Sequence, residues 1–158
     1  MSRPERALLD QALAAMAGCV RRLERSHAGL EALLPLDPSQ LGRLNPRQEE
    51  AIDAFLKRFE QLVATIQDQM FKSLAIAEAE DIHGLSRRDV TELMERLGAI
   101  PSAADFRGFA VLRNKLSHLY PDDPARQAAN LNAAFASTSA LLATARQLAG
   151  FAAGRKPR

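Results

Sequence analysis

The fold is decided by residues 46–79, which read PRQEEAIDAFLKRFEQLVATIQDQMFKSLAIAEA. Large apolar side chains recur in this segment at spacings of three and four residues: Ile52, Phe55, Phe59, Leu62, Ile66, Met70 and Leu74. That spacing places all of them on one stripe of an α-helix. Asn45 is a good N-cap, Pro46 suits the first helical position, and Gln48 completes a capping box. The sequence therefore predicts one long amphipathic helix over residues 46–79.

A segment of the same kind precedes it and predicts a first helix over residues 3–34. Its apolar stripe alternates spacings of four and three: Leu9, Leu13, Met16, Val20, Leu23, His27, Leu30 and Leu34. Ser2 and Glu5 form a capping box at its start, and Pro35 and Pro38 end it. Residues 35–45 are predicted to be a connecting loop that Leu41 and Leu44 attach to the core. The two long helices are therefore expected to be antiparallel partners.

The rest of the chain predicts three further helices. A short one covers residues 86–98 with Gly98 at its C-terminal end, and the next begins at the capping pair Ser102 and Asp105 and stops at Pro121. The last begins at Asp123-Pro124 and ends near Gly150. β-Branched residues are sparse and period-two runs are absent. We therefore expect an all-α, antiparallel up-and-down helical bundle of four to five helices, with one domain over residues 1–150 and a basic tail over 151–158.

Composition excludes several classes of protein. The 158 residues are 47% hydrophobic and 25% charged, which is typical of one globular domain and not of a disordered or collagen-like chain. The formal net charge is +2, so any site for a polyanion must be local. A lone cysteine, Cys19, and the absence of an apolar stretch of 18 residues predict a cytoplasmic protein without signal peptide or membrane span.

Common enzyme signatures are missing. The chain has no phosphate-binding glycine-rich loop, no His-Glu-x-x-His pair, no nucleophile elbow and too few cysteines for a thiolate metal site. We therefore expect neither a metal nor a cofactor. The acidic run Glu78, Glu80 and Asp81 is interpreted as a solvated helix end, His83 as a loop residue, and His27 as a core or edge histidine.

One segment concentrates chemically active side chains, residues 112–121, which read LRNKLSHLYP. At 100° per residue, Asn114 and His118 project from one helical face, and Arg113 and Tyr120 share another. Basic residues in the last turn of a helix also stabilise its negative dipole end. The residues alone therefore leave two interpretations open, a stabilised helix end or a converging site.

The string Arg113-x-x-x-x-His118-x-Tyr120, late in an all-α chain, resembles the Arg-x4-His-x-Tyr motif of the HEPN superfamily, specifically that of HepT-like toxins. Asn114 follows the arginine, where such families commonly carry a polar residue, and the helix order also agrees. The resemblance implies a HEPN-like bundle and a metal-independent endoribonuclease. It further implies a homodimer whose two motifs face each other across a cleft.

The same resemblance implies roles for individual residues. His118 is the candidate acid or base, Arg113 is the phosphate clamp, and Asn114 orients the histidine or a phosphate oxygen. Arg107 and Lys115 are candidate RNA-binding residues. The implied partner is a minimal nucleotidyltransferase (MNT-type) antitoxin that transfers AMP to the motif tyrosine, here Tyr120.

Two other functions stay open at this point. The first is a non-catalytic helical substrate-binding or adaptor subunit of a nucleotidyltransferase. The second is an ordinary helical oligomerisation domain in which the motif has no catalytic role. The sequence does not identify the RNA that such a nuclease would cleave.

Overall fold

The computed structural model describes residues 1–118 and 120–155, and every regular element within these ranges is helical. The α-helices are α1 (Arg3–Leu30), α2 (Pro38–Leu41), α3 (Pro46–Thr65), α4 (Phe71–Ala77), α5 (Arg87–Arg96), α6 (Ala103–Leu116) and α7 (Pro124–Ala153). A π-helical turn, Ile66–Met70, joins α3 to α4. The predicted all-α class is therefore confirmed. None of the described helices is long and apolar enough to cross a membrane.

Helices α1 and α3 form the central antiparallel pair. Cys19 Sγ lies 3.5 Å from Thr65 Oγ1, whereas Ser26 accepts a 2.6 Å hydrogen bond from Arg58, so the contacts run in opposite directions along the two helices. The seven predicted stripe residues of the second long helix are all buried: Ile52, Phe55, Phe59, Leu62, Ile66, Met70 and Leu74. The periodic pattern therefore predicted this part of the core correctly.

Both long helices differ from prediction at their C-terminal ends. Helix α1 begins at the predicted capping box but ends at Leu30, and a turn over residues 31–33 follows it. Leu34 precedes a proline, where the α conformation is disfavoured, so the helix does not extend to the predicted residue. The backbone and side-chain hydroxyl of Ser2 bond to Glu5 and hold the pKa of its carboxyl below the ordinary value. The second long helix ends at Ala77, because Ala79 adopts a positive φ of 56°.

The predicted connecting loop contains a short helix, Pro38–Leu41, that the apolar pattern does not indicate. Helix α2 is four residues long, too short for a periodic pattern, and Asp37 and Gln40 form a capping box around it. Leu41 and Leu44 are partly buried against the core, as expected. The Asn132 side chain bonds to both the backbone N–H and the carbonyl of Leu36, which attaches this connection to α7.

The last three helices begin where their capping residues predict. Ser86 caps α5, Ser102 caps α6 and Asp123 caps α7, and Gly98 follows α5 with a φ of 81°. Helix α6 ends at Leu116, five residues before the proline that was expected to stop it. The predicted inward position of Leu119 lies outside the described residues.

Helix α7 is longer than predicted and includes the beginning of the expected tail. It continues to Ala153, because Ala152 is fully buried and Phe151 packs against the core. Beyond it, Arg155 Nε lies 2.7 Å from the Glu78 carboxylate, and the Arg155 carbonyl accepts a hydrogen bond from Arg6. Residues 151–155 are therefore attached to the bundle, and residues 156–158 lie outside the described part.

Candidate functional site

The C-terminal half of α6 positions the residues that the motif singled out. Phe106, Phe109 and Leu112 are buried and anchor the helix in the core. The next side chains, Arg113 and Asn114, are half-buried and exposed respectively. The helix ends at Leu116 and the chain then turns, so His118 and Tyr120 leave the helical path. The local sequence thus places the polar residues of the motif at the surface end of a firmly packed helix.

His118 and Tyr120 line a cavity of about 290 Å³ that opens to solvent between α2, α3, α6 and α7. Its apolar wall is formed by leucine and isoleucine side chains: Leu41, Leu44, Ile52, Leu56, Leu116 and Leu131. Lys115 also lines it. We call this space the His118 cavity. Its size is near the lower end of the ~300–1,000 Å³ typical of small-molecule sites.

The His118 and Tyr120 rings lie close together. Their centroids are 6.4 Å apart, with His118 exposed and Tyr120 half-buried. The first turn of α7 holds the tyrosine in place, because the Arg126 guanidinium lies 4.6 Å above its ring and the Gln127 amide donates a hydrogen bond to its carbonyl. An imidazole that is open to solvent beside a fixed phenol can exchange protons with a bound molecule.

The Arg113 side chain points to the π-helical turn and not to the His118 cavity. Its guanidinium donates a 3.3 Å hydrogen bond to Gln67 Oε1, and Arg87 donates to the same oxygen at 3.3 Å. Arg87 also lies 3.4 Å from the Asp68 carboxylate. Gln67 and Asp68 belong to the π-helical turn, a local irregularity that is frequent at functional sites.

Two more arginines extend this group. Arg87, Arg88 and Arg107 line a groove of about 180 Å³ together with Gln67 and Asn114. The Glu92 carboxylate lies 3.4 Å from Arg88 and 3.5 Å from Arg107.

Together with Arg113, these side chains form what we call the arginine cluster: Arg87, Arg88, Arg107 and Arg113. Its four guanidinium groups meet two carboxylates, Asp68 and Glu92, so the cluster carries a local excess of positive charge. Guanidinium groups of this kind are suited to phosphate oxygens.

The predicted site residues therefore fall into two sets. Arg113, Asn114 and Arg107 lie at the arginine cluster, whereas Lys115, His118 and Tyr120 line the His118 cavity.

Arg113 does not line the His118 cavity. Gln67, which Arg113 contacts, lies about four helical turns beyond Asp53, which lines the cavity, along one continuous helical stretch. These two contact points are about 20 Å apart along the helix axis, at ~1.5 Å per residue. The two sets thus lie on either side of the end of α6.

Sequence reasoning missed Gln67, Arg87 and Arg88. A signal was nevertheless present in the sequence: Arg87 and Arg88 stand in the first turn of a helix, where the dipole disfavours cations. Their carboxylate partners explain the placement, since Asp68 pairs with Arg87 from the π-helical turn and Glu92 pairs with Arg88 one turn along.

The other polar residues considered in the sequence lie outside both sets of site residues. The His27 ring stacks on Phe135 with centroids 4.3 Å apart, and His83 lies in a turn. Glu78 pairs with Arg155, as described above. Within residues 1–118 and 120–155, no three metal-ligating side chains come together in a group that could hold a metal ion.

The chain matches no protein-family model, no curated protein and no solved structure.

Proposed function

We propose that this chain is a metal-independent endoribonuclease toxin of a toxin–antitoxin pair, active as a homodimer. The observation that carries the proposal is the pairing of His118 with Tyr120 at an open cavity on one side of the end of α6, with a cluster of arginines that includes Arg113 on the other side. These are the residues through which the sequence resembles the HepT-like toxins. RNA cleavage by side chains alone requires a group that transfers protons, such as an imidazole, and cationic groups that bind the phosphates.

The reaction is a displacement within the RNA strand. The ribose 2′-oxygen loses its proton and attacks the neighbouring phosphorus, and the bond to the 5′-oxygen of the next nucleotide breaks. The products are a 2′,3′-cyclic phosphate and a 5′-hydroxyl. One His118 takes the proton from the 2′-hydroxyl and the second His118 of the dimer gives a proton to the departing oxygen. The exposure of His118 supports this role, because RNA can reach the imidazole.

Arginine and lysine side chains bind the phosphates in this scheme. Arg113 turns from Gln67 towards the bound strand and stabilises the negative charge that develops on the phosphorus centre, and Asn114 donates a hydrogen bond to a phosphate oxygen. Arg107, with Arg87 and Arg88, binds the strand on one side of α6, and Lys115 binds it at the His118 cavity. A strand that crosses the end of α6 contacts both sets of residues.

The groove between α6 and α7 supports dimer formation. It has a volume of about 540 Å³, and small side chains of α7 form its floor: Ala133, Ala136 and Ala140. Val111 of α6 is 54% exposed at its edge. We assign this face to a second copy of the chain, because Lys115 lines both the groove and the His118 cavity, so a partner seated in the groove lies beside that cavity. Val111→Glu is expected to convert a dimer to a monomer in light scattering, and Leu8→Glu, at another exposed position, is expected to leave it dimeric.

The direct test is cleavage of single-stranded RNA in the presence of EDTA. The wild-type chain is expected to cleave, and His118→Ala is expected to reduce the rate by about 100- to 10,000-fold, the usual contribution of general acid–base catalysis. His83→Ala is the matched control, since His83 lies in a turn outside both sets of site residues. Equal rates for His118→Ala and wild type would contradict the proposal.

The proposed partner is an MNT-type nucleotidyltransferase antitoxin that adds AMP to Tyr120. The placement of Tyr120 after the end of α6, half-buried beside the cavity, supports access by a second protein. The added phosphate would occupy the surroundings of His118 and repel RNA. Co-expression with such a partner is expected to add the mass of AMP to the wild-type chain and not to Tyr120→Phe. Full neutralisation of Tyr120→Phe would instead indicate inhibition by occlusion.

A second candidate function is a non-catalytic adaptor subunit of a nucleotidyltransferase. The separation of the Arg113 guanidinium from the His118 cavity within one chain favours it. Expression in a bacterium distinguishes the two functions. Growth arrest that His118→Ala relieves supports the nuclease, whereas harmless expression of both forms supports the adaptor.

A further inference from the structure

One wall of the His118 cavity, on α3, carries two carboxylates without an ion-pair partner among the described residues. Glu49 and Asp53 stand one turn apart on α3 at its solvent-exposed face, and both line the cavity at its open side. Within the described part of the chain, neither carboxylate makes an ion pair or a side-chain hydrogen bond. Ionised carboxylates offer acceptors and no donors. This wall therefore suits a ligand that presents N–H groups.

The α7 side of the cavity contributes two amides. Gln127 and Asn130 stand three residues apart and both line the cavity. The Gln127 nitrogen donates to the Tyr120 carbonyl, which fixes the orientation of that amide. The Asn130 amide makes no side-chain hydrogen bond to another described residue, so it can both donate to and accept from a ligand.

Between these polar groups the cavity is apolar, with Leu44, Ile52 and Leu131 among its lining residues. A flat ring with polar edges fits such a space, since its faces contact aliphatic carbon and its edges reach carboxylates and amides. The volume of about 290 Å³ admits one such ring and not a longer polymer segment. Nucleobases are ligands of this shape, and proteins commonly bind them splayed out from single-stranded RNA.

We propose that the His118 cavity is a base-specificity pocket that selects guanine, an inference that rests on the proposed ribonuclease function. Guanine is the base that presents two adjacent N–H donors, N1–H and the N2 amino group, to one carboxylate. Its O6 and N7 are acceptors for an amide such as that of Asn130. Adenine and cytosine each present one amino group next to an acceptor nitrogen, which a carboxylate repels. Uracil presents a single N–H between two carbonyl oxygens.

The pocket also fixes where the strand is cut. Lys115 and His118 line the same cavity, so a phosphate next to a guanine held between α3 and α7 can reach them. We assign this position to the guanine's own 3′-phosphate, because the 2′-hydroxyl that attacks it belongs to the same nucleotide. The nuclease therefore cleaves on the 3′ side of guanosine.

Binding of mononucleotides to the full chain tests this directly. In calorimetric titrations, 3′-GMP is expected to bind about tenfold or more tightly than 3′-AMP, 3′-CMP or 3′-UMP, since hydrogen bonds to charged groups are strong. The double variant Glu49→Gln/Asp53→Asn is expected to reduce the affinity for 3′-GMP to that of the other nucleotides, and of the two single variants the one that removes the pairing carboxylate is expected to do the same. Glu50→Gln is the matched control, because Glu50 is an exposed carboxylate on the same helix that does not line the cavity. Asn130→Leu supplies a second variant on the other wall should an α3 variant fail to fold.

The outcomes separate this proposal from the proposed function. Equal binding of all four nucleotides, with His118-dependent cleavage intact, overturns the guanine pocket and leaves the ribonuclease standing. Selective binding of 3′-GMP by a chain that cleaves no RNA supports the pocket and contradicts the ribonuclease. Tighter binding of free arginine than of any nucleotide overturns the pocket as well, since the two carboxylates would then serve a cationic protein side chain.

Discussion

The interface between α1 and α3 and the C-terminal end of α6 are built from different contacts. The first consists of apolar side chains that repeat every three or four residues, and Leu23, Phe59 and Leu62 in it are completely buried. The second combines polar groups from the π-helical turn, α5, α6 and the start of α7, most of them half-buried or exposed.

The contacts of the α1–α3 interface account for the stability of the protein, whereas the polar groups at the end of α6 carry the function that we propose. Burial of the α1–α3 interface supplies the hydrophobic free energy of folding. Exposed ion pairs such as those of Glu92 with Arg88 and Arg107 contribute little to stability, typically ~0–1 kcal/mol each. Substitutions in the two regions should therefore produce opposite phenotypes, with stability lost in one case and activity lost in the other.

The largest expected effect is in the core. Phe59→Ala should lower the free energy of unfolding by about 3–5 kcal/mol, because it removes a fully buried ring and leaves a cavity. Urea denaturation measures the change. Leu8→Ala, at a position that is 49% exposed on α1, is the control and should change stability by less than about 0.5 kcal/mol. Similar values for the two variants would mean that this interface is not the core.

The next effect is on activity and lies at the end of α6. Arg113→Ala should reduce the cleavage rate by about 100- to 1,000-fold, the usual loss when a group that stabilises transition-state charge is removed. Its melting temperature should change little, because Arg113 is only half-buried and its hydrogen bond is to a neutral amide. Arg146→Ala is the matched control, since Arg146 pairs with Glu24 away from the site. Loss of stability without loss of activity would identify Arg113 as a structural residue.

The smallest expected effect is on the salt dependence of RNA binding, and it tests whether the arginine cluster contacts the RNA. Arg87→Ala should weaken RNA binding and reduce the slope of log affinity against log salt by about 0.7, the value for one phosphate contact on a single strand. Arg146→Ala should leave the slope unchanged. The measurement is a fluorescence titration at several salt concentrations, and an unaltered slope for Arg87→Ala would remove Arg87 from the RNA path.

The helices could be predicted from the sequence because their signals are local. Capping residues such as Asn45 and Ser102 act on amides two or three positions away, and the apolar stripes follow the helical period. The π-helical turn was not predictable in this way, since Ile66, Met70 and Leu74 keep the spacing that a regular helix would also show. Helix α2 was missed because four residues are too few for a period to be seen.

The site could be predicted only in part, because its contacts join residues that are far apart in the sequence. The motif places Arg113, His118 and Tyr120 within eight residues, but it carries no information about which neighbours each side chain meets. Gln67 comes from a turn 46 residues away and directs Arg113 towards Arg87 rather than towards His118. The carboxylates of Glu49 and Asp53 likewise reach the His118 cavity only through the packing of α3 against α6 and α7.

The chemistry of the cut ends tests the central claim most directly. RNA incubated with the wild-type chain in EDTA is expected to end in 2′,3′-cyclic phosphate on one fragment and in 5′-hydroxyl on the other. A substrate with a 2′-deoxyribose at the cleavage position should stay intact. Fragments that carry 3′-hydroxyl and 5′-phosphate ends, or cleavage of the 2′-deoxy substrate, would contradict attack by the 2′-oxygen and with it the role we assign to His118.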